Sequence, residues 1–399
     1  MKSYLLSVML LVSFALGACG DMQKELEVVV DENPILIGDV SYETAPDSAG
    51  MDVLTSVEFV ETLGVGWNLG NALDALDTTT GERSETLWGN PIISESLVQS
   101  VANAGFDTVR LPVAWSDFSD DASFTISQER MQRVQDVVDL ILAADMKVML
   151  NLHWDGGWMQ PTYEEKDYVN NRLAIMWRQI ARNFRDYDAR LMFAGSNEVM
   201  VEGDYSTPSE EYYSSQNSFN QTFVEAVRST GGKNAFRYLV VQGFNTNIDH
   251  TVNFLMIPND SVDNRLLVEV HFYDPYEFTL DASSSATQWG EGANNQAKAQ
   301  WPSDERHVDG QFKKMHDEFV ANGIGVVLGE YGVEARDGDP QFESFRSLWL
   351  AYVTNAALNN GMAPMVWDNG YESGMGLFNR TNGQQTRPEL IKVLSSGRD

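Results

Sequence analysis

Eight short apolar runs recur along this chain, with amphipathic helical patterns filling much of the sequence between them. The runs are Leu63–Leu69, Thr108–Pro112, Lys147–Leu152, Leu191–Ala194, Tyr238–Val241, Leu266–Val270, Gly325–Leu328 and Pro364–Trp367. Each is short and bounded by turn residues, as a strand buried on both faces should be. Met131, Val134, Val138 and Ile141 share one helical face, and Ser127 stands where an N-cap belongs. Leu173, Trp177, Ile180 and Phe184 share a second face; Phe345, Leu348, Trp349, Tyr352 and Ala356 share a third. Strand and helix in alternation predict a parallel α/β fold, and eight repeats predict a (β/α)8 TIM barrel. The segments after Trp154, Val199, Tyr273 and Ala335 are long and rich in Gly, Asp, Ser and Tyr. All follow strands, so all fall on one rim, the expected binding face.

The first nineteen residues stand apart. Lys2 precedes an apolar run from Tyr4 to Leu16, and Leu16-Gly-Ala-Cys19 follows. The run is too short to span a bilayer but suits the central region of a signal peptide. Leu-Gly-Ala-Cys resembles a bacterial lipobox, whose cysteine is lipidated; the bland alternative is an ordinary signal peptide cut near Ala18. The predicted layout is a lipoprotein signal peptide over 1–19 ending at lipidated Cys19, a tether over 20–50, and the barrel over 51–399. Leu26–Val30 within the tether fits a short strand. Bacterial lipoproteins resemble one another in carrying more than one lipid chain, so stable attachment at the outer membrane or cell surface is expected. Cys19 is the only cysteine, which excludes an internal disulfide and a thiolate metal site.

Asp and Glu number 58 against 27 Lys and Arg, a net charge of −31. Such a surface repels phosphate backbones and excludes nucleic acid as a partner, while a neutral polysaccharide is indifferent to it. The chain is expected to act as a monomer and to need no cofactor.

Polar or aromatic residues end six of the eight strands: Arg110, His153, Asn197-Glu198, His271-Phe-Tyr273, Glu330 and Trp367. An ionised carboxylate at a buried strand end is costly to desolvate unless it has a task or a partner. Either glutamate alone fits a structural carboxylate paired with an arginine. Two, arriving from different strands, are the equipment for cleaving a glycosidic bond. His153 and His271 also fit buried, satisfied histidines or zinc ligands, but His250, His307 and His316 do not supply a third donor at ligand spacing.

Longer segments carry a resemblance. Gly66-Trp-Asn-Leu-Gly-Asn71, Gly105-Phe-Asp-Thr-Val-Arg-Leu-Pro112, Asn151-Leu-His153, Asn197-Glu198, His271-Phe-Tyr273, Gly329-Glu-Tyr-Gly332 and Trp367 resemble the signature segments of glycoside hydrolase family 5. They are most similar to its bacterial endo-β-1,4-glucanase subfamily 4. The resemblance implies a retaining mechanism, with Glu198 as acid/base and Glu330 as nucleophile. It places substrate-binding roles on Arg110, His153, Asn197, His271, Tyr273 and Trp367, and we add Asn71 and Trp115 from the rim. Physical logic agrees: Arg110 and Tyr273 are suited to keep Glu330 anionic, Asn197 to bind a sugar 2-hydroxyl, and Trp367 to stack under a sugar ring.

Among the tryptophans, Trp177 and Trp349 belong to helix cores. Trp88, Trp115, Trp154, Trp158, Trp289 and Trp301 fall near rim loops, where some should line a cleft, and Trp67 is divided between core and sugar contact. Val199 stands where the family usually has proline, and Trp154 where subfamily 4 commonly has a second histidine. Cellulose-type β-glucan is the expected polymer, with xyloglucan, mixed-linkage glucan or mannan as alternatives. A non-catalytic glycan-binding lipoprotein would be expected to have lost one of the glutamates, and both are present.

Overall fold

The structure, a computed structural model, describes residues 35–37, 40–77, 79–80, 84–299, 304–336 and 338–395. The 1–19 leader with Cys19, the strand expected at Leu26–Val30, and Trp301 lie outside the described residues. The eight expected strands form: β1 Gly66–Leu69, β2 Thr108–Leu111, β3 Lys147–Asn151, β4 Leu191–Ala194, β5 Leu239–Gln242, β6 Leu266–Phe272, β7 Gly325–Tyr331 and β8 Met362–Asp368. All neighbours pair in parallel, and β8 returns to β1 to close the barrel. Helices follow the strands: α1 Glu95–Asn103, α2 Gln128–Ala143, α3 Lys166–Asn183, α4 Glu210–Ser229, α5 Ile248–Phe254, α6 Glu305–Glu318, α7 Pro340–Asn359 and α8 Pro388–Ser395.

The helix faces follow their sequence periods, with one exception. Ser127 caps α2 through the Arg130 N–H, and Val134, Val138 and Ile141 are buried beneath it. In α7 the buried face runs through Phe342, Arg346, Trp349, Val353 and Ala357, while Leu348 is 40% exposed. The expected face is therefore rotated. Arg346 turns inward because its guanidinium donates to the backbone oxygens of Val333 and Gly374, a polar anchor that an apolar pattern does not reveal.

Inside the barrel the chemistry changes with height. The lower interior holds Met149, Met192, Val240, Leu267, Val327 and Met365, closed from below by the helix Ser56–Glu61, whose Phe59 stacks on Tyr238 at 3.7 Å. Burying such side chains stabilises by about 1.5–3 kcal/mol each. Higher up the barrel, the interior positions become polar: Asn68, Arg110, Asn151, Gln242 and Glu269, all buried. No helix among the described residues is long and apolar enough to cross a membrane. Residues 40–47, within the stretch read as a tether, pack on the barrel. The Glu43 and Asp47 N–H groups donate to Ser229 and Gly232, and Arg182 pairs with Glu43 at 2.7 Å.

Strict alternation fails at one point in β7. Val270 of β6 stands opposite Leu328, but His271 stands opposite Glu330, so Gly329 is an extra residue. The β8 side shows the same shift. This bulge turns the chain so that Glu330 faces the interior, where simple period-2 counting from Val327 would send it outward. Tyr331 then packs outward against Trp349.

Candidate active site

Arg110 organises the upper interior. Its fully buried guanidinium donates from Nε to Glu269 Oε1 at 2.8 Å, from Nη1 to Glu330 Oε1 at 2.7 Å and Asn68 Oδ1 at 3.0 Å, and from Nη2 to Asn197 Oδ1 at 2.6 Å. Tyr273 donates its hydroxyl to Glu330 Oε2 at 3.1 Å. His271 bridges: Nδ1 meets Glu198 Oε1 at 2.7 Å and lies 3.7 Å from Glu330 Oε2, while Nε2 meets Glu269 Oε1 at 3.2 Å. Groups from β1, β2, β4, β6 and β7 thus meet in one place, and an oxygen of Glu198 lies within 4.8 Å of an oxygen of Glu330. The Glu330 side chain is 7% exposed and that of Glu198 36%.

Glu198 sits on strained backbone, with φ +48° in the left-handed region that non-glycine residues rarely adopt. Its N–H donates to Gln242 Oε1 at 3.1 Å, which holds the turn.

Pairing decides the charges. Burial would suppress the His271 imidazolium, yet Glu330 and the hydrogen bonds to Glu198 and Glu269 raise its pKa to about 9. Burial also opposes the Glu269 anion, but Arg110 and His271 bring it down to about 2. Burial pushes the Glu330 carboxyl up, with His271 and Arg110 pulling against it. Burial, aided by Arg110 and His271, holds His153 well below the usual histidine range, so it is neutral. The Tyr273 phenol is pushed up by burial and by Glu330, which keeps it a donor. Arg110 and His271 thus set two basic groups against the carboxylates of Glu269 and Glu330. The donor atoms of Glu198, His271 and Glu330 are close enough to surround a cation. The protonated imidazole, with both nitrogens facing carboxylates, already supplies that charge from within the chain.

Above these groups opens a cleft of about 720 Å³. His153 and Trp367 stack against each other at 5.8 Å as one wall, and Asn151 orients His153 through Nδ1. Tyr205 and Tyr276 stand on the opposite loops, 69% and 59% exposed. Trp154 is exposed beside Glu198, and Trp88 on the loop after β1.

One rim expectation needs correction. Trp115 is fully buried and its indole N–H donates to Asn151 O, so it supports the floor from behind and meets no sugar. Asn71 is half-buried at the end of β1, its N–H donating to Asp74 and its carbonyl accepting from Asn90. Trp67 and Trp289 are core residues too, and Trp158 is held by Asp155 and Arg172. Around Trp115 and Trp289 a polar loop hid the burial from a reading of the sequence.

Glu269, Gln242 and Asn68 were missed. A signal existed for Glu269: a charged residue inside a buried strand, two positions before His271 and hence on the same face. Asn68 carried none beyond polarity within an apolar run, and Gln242 none beyond polarity directly after one.

Residues 73–373 match the family described as Cellulase (glycosyl hydrolase family 5). Endoglucanase A of Paenibacillus barcinonensis is 36% identical over 89% of this chain and 93% of its own length. A Bacteroides ovatus GH5 xyloglucanase, solved in complex with a XXXG heptasaccharide, superposes with a TM-score of 0.85 at 36% identity, covering 92% of this chain and 80% of that one. A GH5-4 broad specificity endoglucanase from Bacteroides salanitronis superposes with a TM-score of 0.82 at 40% identity, covering 87% and 96%. With its closed barrel, its paired glutamates and these relatives, the chain belongs to glycosyl hydrolase family 5 and groups with the endoglucanases of subfamily 4.

Proposed function

We propose that this chain, an endo-acting β-1,4 glycoside hydrolase, cleaves glucan with retention, using Glu330 as nucleophile and Glu198 as acid and base. The separation of the two carboxylates carries the proposal. Oxygens within 4.8 Å fit the ~5–5.5 Å of retaining enzymes and leave no room for the water that inverting enzymes place across ~6.5–9.5 Å. Glu330 attacks the anomeric carbon as Glu198 protonates the departing glycosidic oxygen; a glycosyl ester forms and the C–O bond breaks. Glu198, now a carboxylate, takes a proton from water, which opens the ester and restores both groups. Arg110 and Tyr273 hold both Glu330 oxygens in place. Asn197 gives its oxygen to Arg110, which leaves its amide N–H to donate to the sugar 2-hydroxyl. The His153–Trp367 pair offers a flat wall to a sugar ring.

A second reading, xyloglucan as the preferred polymer, has one observation in its favour. A side pocket of about 460 Å³ shares Asn247, His271, Tyr273 and Asp274 with the cleft, space suited to a branch sugar. The leader motif ending at Cys19 supports export as a lipid-anchored protein.

The test is an assay on carboxymethylcellulose, xyloglucan, lichenan, glucomannan and xylan, with product anomers followed by NMR. Retention is expected on the β-1,4-glucans, with xyloglucan ahead under the second reading. Glu330→Gln is expected to lower turnover of an aryl β-cellobioside by more than about 10³-fold with the fold intact. Inverted product, or substantial residual turnover in that variant, would refute the assignment.

A further inference from the structure

Glu269 is fully buried in the middle of β6, below the floor of the cleft. A carboxylate at that depth persists only with partners around it, and it has three. Oε1 accepts from Arg110 Nε at 2.8 Å and faces His271 Nε2 at 3.2 Å; Oε2 accepts from Gln242 Nε2 at 2.7 Å. Each partner then reaches a reacting glutamate. Arg110 donates to Glu330 at 2.7 Å, His271 meets the Glu198 carboxyl at 2.7 Å, and Gln242 accepts the Glu198 N–H at 3.1 Å. The last contact steadies the left-handed backbone of Glu198. Because Gln242 gives Nε2 to Glu269, its Oε1 is the atom left for Glu198.

The bulge residue makes room for this arrangement. A Cβ at Gly329 would lie 2.0 Å from Glu269 Oε1, so a bare backbone beside Glu330 is what lets the buried carboxylate lie there.

We infer that Glu269 is a positioning residue that sets both reacting carboxylates at once, Glu330 through Arg110 and Glu198 through His271 and Gln242. The inference rests on the roles proposed for Glu198 and Glu330. Glu269 itself touches no sugar. The titratable groups facing this network are Arg110 from β2, His153 after β3, Glu198 after β4, His271 and Tyr273 from β6 and its loop, and Glu330 from β7.

The experiment is Glu269→Gln in the full chain, with folding checked by circular dichroism. On an aryl β-cellobioside, kcat is expected to fall on the order of 100-fold while KM stays within about twofold, since misplaced groups lose rate before binding. The acid limb of kcat/KM moves to lower pH, because Glu330 has lost a like charge. The His271 imidazole, followed by ¹⁵N NMR without substrate, titrates at lower pH than in the native protein, because it has lost an anion. A folded variant with native limbs and native His271 titration would overturn the inference. Where Glu269→Gln does not fold, Gln242→Met decides without changing charge: lowered kcat with KM and pH limbs unchanged supports the network, and native kcat overturns it. The His271 titration needs no substrate, so its failure is distinct from failure of the assigned roles for Glu198 and Glu330.

Discussion

Glu269 and His271 lie two residues apart on one strand, and each bears a charge that burial alone would remove. Their pairing links stability to pH in opposite directions. The folded Glu269 value of about 2 lies below the ordinary 4.5, so its contribution is complete above 4.5 and lost as pH falls toward 2. The folded His271 value of about 9 lies above the ordinary 6.5, so its contribution is complete below 6.5 and lost as pH rises through 9. The melting temperature is expected to decline between pH 6.5 and 9, and His271→Gln to flatten that decline. Scanning calorimetry across the range checks it, and identical pH slopes in the two proteins would contradict the linkage. At this scale the residues that end strands were readable, because charge at the end of an apolar run is conspicuous. Glu269 was less so, since it hides inside the run, and Trp115 misled because a rim loop can fold its indole beneath the floor.

Elements divide the barrel into two ends with separate duties. The helix Ser56–Glu61 closes the lower end, begins with a capping box between Thr55 and Glu58, and buries Phe59 against Tyr238. Phe59→Ala is expected to destabilise the fold by about 3–5 kcal/mol, measured by urea denaturation. Its kcat at 25 °C should be unchanged, since the reacting groups occupy the other end; a large fall in kcat without loss of structure would show the ends to be coupled. Strand existence was legible from apolar runs of the right length. The rotated face of α7 was not, because Arg346 buys its buried position with backbone acceptors on neighbouring loops. The bulge at Gly329 was also hidden, since a register shift depends on what the neighbouring strands do.

For the whole molecule, a net charge of −31 acts on any charged polymer before contact is made. Carboxymethylcellulose is anionic, so kcat/KM on it should rise as salt goes from about 10 mM to 150 mM and the Debye length shrinks from about 30 to 8 Å. Xyloglucan is neutral and should give a nearly flat response. Equal salt dependence on both would remove the long-range field as the cause. The proposed lipid anchor is likewise a property of the full chain. Cys19→Ala is expected to move the protein from the membrane fraction to the soluble fraction of the producing cell, and unchanged partitioning would exclude Cys19 as the attachment point.

The sequence by itself determined the barrel, the order of its strands and the identities of the residues at the strand ends. These follow from local facts: which runs are apolar, how long they are, and where polarity resumes. Tertiary structure decided which way those residues face and how they are charged. Glu330 points inward only because Gly329 adds a residue that its neighbours do not match, and His271 is a cation only because carboxylates from three strands surround it. Both outcomes depend on groups far apart in the chain, so no local pattern contains them.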